Sequence, residues 1–142
     1  MLYSFWKGSE NMENLVNEVA KAVAYYKNRG IGMEAEDYTL SNFIKDCEDE
    51  NVLFKKSYED KNLIQYSFEN QLQRTLIAMI DKFPKLINMT DSEGRTMIHK
   101  AVLYDCEEVF FHAYEIDNSS VIKKDNYKKS PFYYFREKYN DD

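Results

Sequence analysis

One run of small, polar and apolar residues recurs in this chain at a fixed interval. Thr96, Ile98, His99 and Ala101 are matched one interval later by Ser130, Phe132, Tyr133 and Phe135, with Pro131 falling on Met97. One interval earlier they are matched by Asn62, Ile64, Gln65 and Ser67. A second set keeps the same interval, since Leu76, Met79 and Ile80 correspond to Phe110, Ala113 and Tyr114. The spacing within each set is helical, so each interval contains two short helices. Self-similarity on this scale constrains a fold more than composition does. A unit of two short helices cannot bury its apolar face alone and must stack on a neighbour. The expected class is all-α, built from stacked helix-turn-helix units.

The best-formed copy is the stretch from Asp91 to Ala101, Asp-Ser-Glu-Gly-Arg-Thr-Met-Ile-His-Lys-Ala. Gly94 supplies a tight turn at positive φ, Thr96 opens a helix, His99 lies one turn on, and Ala101 lets a neighbouring helix approach. Asp91, Gly94, Thr96, Ile98, His99 and Ala101 resemble the turn and first helix of an ankyrin repeat, whose preferred run is Gly-x-Thr-Pro-Leu-His-x-Ala. The interval of the recurrence is also that of the ankyrin family. The resemblance covers about residues 60–140; the flanking units keep the hydrophobic spacing but lose most of the signature, and the middle unit departs from the family at two positions. Met97 stands where proline is usual, and Asp105 where glycine is usual between the helices. It implies that His99 hydrogen-bonds with the turn, including the Thr96 hydroxyl, and staples successive units together. Gly94, Thr96, His99 and Ala101 are on this reading structural residues.

Residues 1–59 do not fit the repeat frame and are expected to be an N-terminal helical cap, with 60–142 as the repeats of the same structural unit. Leu15, Val16, Val19, Ala22, Val23 and Tyr26 predict an amphipathic helix over residues 14–28, which Gly30 ends. Leu40, Phe43, Ile44 and Cys47 predict a second helix with a break near Asp49. Val52, Leu53 and Phe54 either extend that helix or form a short packed turn.

The residue types exclude several chemistries. Gly30-Ile31-Gly32 lacks the third glycine and the following lysine of a phosphate-binding loop. Cys47, His99, Cys106 and His112 are scattered without metal-ligand spacing, so no metal and no cofactor is expected. No nucleophile sits in a recognisable turn context, which makes an enzyme the minority reading. The chain opens without a charged leader and apolar run, and no stretch is long enough to span a bilayer. With two widely separated cysteines this predicts a cytoplasmic protein with free thiols.

Charge narrows the partner. The net charge is −6, and residues 1–60 hold seven Lys and Arg against twelve Asp and Glu. Nucleic acid is disfavoured, because phosphate affinity needs a basic face. The expected partner is another protein of basic character. Ankyrin arrays bind through their turn tips and first helices, so the resemblance nominates Ser92, Glu93, Arg95, Lys100 and Tyr104 from the middle unit and Tyr127, Lys128 and Tyr134 from the last. Asp46, Glu48, Asp49 and Glu50 form a second, acidic candidate surface. Phe110, Phe132 and Phe135 are expected in the core. A chain that begins at its own Met1 without an attached catalytic domain is expected to have the binding of a partner as its whole activity. It would inhibit or neutralise a partner, as an immunity protein covers a toxin. The alternatives are an adaptor or effector-type scaffold without inhibitory activity, and an enzyme whose site the sequence does not reveal.

Overall fold

A computed structural model describes residues 32–55 and 60–139 of the chain. The helix expected over residues 14–28 lies outside them. Among the described residues the structure is all-helical. Six α-helices are present there: α1 (Gly32–Lys45), α2 (Leu63–Glu69), α3 (Gln73–Lys82), α4 (Met97–Leu103), α5 (Glu107–Ile116) and α6 (Pro131–Tyr139). Three 3-10 turns, Glu50–Leu53, Pro84–Asn88 and Asn118–Ile122, connect them. The chain divides into two compact units, one ending at Lys82 and one beginning at Phe83.

In the first unit α1 lies along α3. Leu40, Phe43 and Ile44 recur at three and four residues, so one face of α1 is apolar and fully buried. Asp37, on the same helix, accepts hydrogen bonds from the backbone N–H of Arg74 at 2.9 Å and of Thr75 at 2.7 Å. It thereby satisfies the otherwise unpaired donors at the start of α3 from a neighbouring helix. Glu36 is fully buried and accepts the Tyr66 hydroxyl at 2.8 Å. Two carboxylates of the acid-rich N-terminal half therefore point inward and fasten helices together. α1 stops at Lys45, and Asp49 caps the following 3-10 turn by accepting from the Asn51 N–H at 2.9 Å. Val52 and Leu53 are buried in that turn, which is the packed-turn alternative of the two expected for this segment.

In the second unit α4 is central and packs against both α5 and α6. Its core is built from Ile98, Ala101, Val102, Cys106, Val109 and Ala113, all almost wholly buried. Ala101 and Ala113 let the helices approach closely. Phe110 is buried as expected, but Phe132 is 47% exposed and Phe135 half-buried. The expectation that both lie in the core is thus corrected. The reason is positional: no helix among the described residues follows α6 to cover it.

The recurrence is complete in the backbone. Helices α2, α4 and α6 begin at Leu63, Met97 and Pro131, evenly spaced by the interval seen in the sequence. α3 and α5 repeat at that interval at both their ends, and the three 3-10 turns start at it too. Left-handed residues follow the same rule: Asp60, Gly94 and Lys128 at one turn, Gln71 and Asp105 between paired helices. At that second turn the Leu72 N–H reaches the Ser67 carbonyl at 2.8 Å and the Cys106 N–H reaches the Ala101 carbonyl at 2.7 Å. The first 3-10 turn, at Glu50–Leu53, already lies on this frame. The periodicity therefore begins earlier than residue 60, and the reading that nothing before it fits is corrected.

Candidate functional site

The second unit holds two consecutive turns of the same construction. In the first, Asp91 Oδ1 accepts from the N–H of Glu93 at 2.8 Å and of Arg95 at 3.0 Å, while Gly94 N–H closes back on the Asp91 carbonyl at 3.0 Å. In the second, Asp125 Oδ1 accepts from the N–H of Tyr127 at 2.9 Å and of Lys129 at 3.0 Å, and Lys128 N–H closes on the Asp125 carbonyl at 3.0 Å. An aspartate is suited to this position because its short carboxylate reaches its own backbone two and four residues on. The turns are then locked side by side. Asn126 donates its backbone N–H to the Glu93 carbonyl at 2.9 Å and its side-chain amide to the Ser92 carbonyl at 3.0 Å.

Gly94 is required where it stands. Its φ is +73°, and a Cβ there would lie 2.4 Å from the Asn126 side-chain oxygen and 2.9 Å from the Asn126 backbone nitrogen. The contact between the turns depends on the missing side chain.

Below the turns lies the staple. Thr96 caps α4 with its hydroxyl, accepting from the N–H of Ile98 and His99, and His99 Nδ1 lies 3.1 Å from the Thr96 backbone nitrogen. The far ring nitrogen, Nε2, meets the Lys129 carbonyl at 3.0 Å. A carbonyl only accepts, so Nε2 carries the proton and Nδ1 accepts from Thr96. Burial holds the His99 pKa below its ordinary value, against the opposing pull of the Lys129 carbonyl. His99 is fully buried with both nitrogens used, which is a structural arrangement.

Several nominated surface residues meet in one network. The Arg95 guanidinium bonds Glu93 at 3.0 Å, Asp125 at 3.4 Å and the Tyr134 hydroxyl at 3.4 Å, and lies over the rings of Tyr127 and Tyr134. The Tyr134 hydroxyl donates to Asp125 Oδ2 at 2.7 Å. Burial pushes the Asp125 carboxyl up, but the hydrogen bonds from Tyr134, Lys129, Tyr127 and Arg95 outweigh it and hold the group below the usual carboxylate range. Arg95 and Tyr134 thus spend their polar groups inside the chain. Both were nominated as partner contacts, and both lie half-buried in this network. Ser92, Glu93, Tyr127 and Lys128 remain exposed on the turn tips. Lys100 pairs with Asp91 at 3.3 Å, and Tyr104 is exposed at the other end of α4, away from the turns.

Of the acidic candidates, Asp46, Glu48 and Asp49 are exposed and Glu50 is half-buried. Asp49 is committed as a cap. Asp125 and Asn126 were not nominated from the sequence. Their signal was available, since they stand one interval after Asp91 and Ser92.

Among the described residues no group of three or more His, Cys, Asp or Glu side chains could hold a metal ion, and no helix is long and apolar enough to cross a membrane. Comparison with family models, with curated proteins and with solved structures found no match.

Proposed function

We propose that this chain is a small ankyrin-like protein that binds another protein through its turn tips and, by occupying that partner, blocks it. The observation that carries the reading is the cross-linking of the two turns through Asn126. It places Ser92 and Glu93 beside Tyr127 and Lys128 on backbone that is already ordered. A preorganised tip loses little entropy on binding, and an exposed tyrosine between charges of both signs is an effective anchor. The arrangement also separates roles in a way that suits recognition. Asp91, Gly94, Asp125 and Asn126 build the turns, and Arg95 holds the exposed Glu93 and Tyr127 against them.

The His99 staple and the complete recurrence of helices, turns and left-handed residues support the ankyrin-like reading. The acid-rich N-terminal half favours a partner of basic character, with charge acting mainly on encounter rate and selectivity. Capture of a partner from native lysate, followed by titration of its activity with this chain, tests the proposal. Stoichiometric loss of the partner's activity is the expected result. A partner that binds with undiminished activity would make the chain an adaptor instead.

A further inference from the structure

We infer that His99 is an acid-sensitive latch on the turn tips, whose protonation favours release of the second turn from the first. The consequence for a partner rests on the function proposed above, but the release belongs to the chain alone. Polar contacts hold the second turn in place. Across residues 122–130, all of them described, Asp125 is the one buried side chain, while Val121 and Pro131 on either side are buried. Between those two anchors Asn126 bonds the Glu93 and Ser92 carbonyls, Asp125 meets Arg95 and Tyr134, and the Lys129 carbonyl meets His99. Lys123 adds a bond to the Asn88 carbonyl at 3.1 Å. A segment with few buried apolar contacts opens at lower free energy than the whole fold.

The closed arrangement has room for one proton on the ring. Nε2 donates to the Lys129 carbonyl and Nδ1 accepts from the Thr96 N–H, so a second proton on Nδ1 would set one N–H against another. The Thr96 hydroxyl, 3.1 Å from Nδ1, already accepts from the N–H of Ile98 and of His99 and has no lone pair left for it. The proton would also place a charge on a fully buried side chain. Releasing the Lys129 carbonyl frees the ring to turn and meet water.

The groups that face the ring come from both turns and from α6. Asp125 and Asp91 favour the charged imidazolium, Arg95 opposes it, and burial outweighs them all and holds the pKa below its ordinary value. Tyr134 of α6 meets the ring edge-on at 6.1 Å. Lys100 of α4 is paired with Asp91, and the Lys129 ammonium lies over Tyr133. Asp91 and Asp125 are themselves held below the usual carboxylate range by their hydrogen bonds, so both stay ionised where a histidine titrates. In the released turn the ring recovers its ordinary value of 6.5. Acid therefore favours release by about tenfold for each pH unit below that value.

Amide exchange followed by NMR on the full chain, corrected for its intrinsic pH dependence, tests the latch without any partner. The Asn126 N–H, which closes on Glu93, reports on the turn, and the Ala113 N–H in α5 reports on the core. Asn126 should be less protected than Ala113 throughout. Its protection should fall about tenfold from roughly pH 7.5 to 5.5 in the parent and stay level in His99→Gln, which retains His112. Linkage supplies a second measurement on a variant altered only at an exposed side chain. Asn126→Ala loosens the closed turn, so the His99 ring signals should titrate at higher pH than in the parent, nearer 6.5. Equal protection of Asn126 and Ala113 would mean that the turn opens only with the whole fold, and overturns the latch. So does acid-promoted exchange that persists in His99→Gln, or a His99 titration unmoved by Asn126→Ala.

Discussion

The imidazole of His99 reaches the backbone carbonyl of Lys129 at 3.0 Å, tying the start of α4 to the turn that precedes α6. The same ring meets the Thr96 N–H through its other nitrogen, so one side chain holds both ends of a 30-residue connection. His99→Ala should lower stability by about 1 to 3 kcal/mol, because buried backbone groups lose their partners. Thr96→Ala should fall in the same range. Chemical denaturation of each variant against the parent checks both.

The same residue makes stability depend on pH. The folded pKa of His99 is depressed below 6.5, so above that value both states are neutral and the contribution is complete. As pH falls through the window below 6.5 the unfolded chain takes up a proton that the folded chain refuses, and stability declines. His99→Gln, which keeps a neutral polar group, should abolish that part of the slope. Midpoints measured from neutral pH downward in parent and variant give the difference.

Gly94 and Lys128 hold the same left-handed position in successive turns, at φ +73° and +63°. Gly94→Ala adds both strain and a collision with Asn126, and should cost about 1 to 3 kcal/mol. Lys128→Gly relieves the same strain and should stabilise by roughly 0.5 to 1 kcal/mol. Opposite shifts in thermal midpoint are the readout.

Ser67 stands where Ala101 stands one unit later, and both are fully buried. The Ser67 hydroxyl meets no hydrogen-bond partner among the described residues. Ser67→Ala should therefore be neutral or stabilise by up to about 1 kcal/mol, since it removes a desolvated polar group at little cost in volume. Equilibrium unfolding in urea measures it.

Much of this architecture was legible because a fixed interval survives in the polar positions as well as the apolar ones. Thr96 and His99 could be read because their chemistry is local to one turn of helix. Arg95 and Tyr134 could not, since 39 residues separate them and only the fold brings them to the buried carboxylate of Asp125. Two N-terminal carboxylates were illegible for a similar reason. Glu36 and Asp37 count in the sequence only toward the acidic excess of residues 1–60, because their partners, Tyr66 and the first turn of α3, lie 30 to 38 residues away. Phe132 looked like core because its spacing matches Ile98, and spacing does not reveal whether a following unit covers it.

The most direct test of the account is paired capture from native lysate, using the parent chain and a Ser92→Arg/Tyr127→Ala variant, washed at low and moderate salt. Both altered residues are exposed on the turn tips, so the variant should stay folded despite the lost contact between Tyr127 and Arg95, which a thermal melt checks. The account predicts one stoichiometric protein partner, held by the parent through both washes and lost by the variant. A partner held equally by both proteins, or none held by the parent, would contradict it.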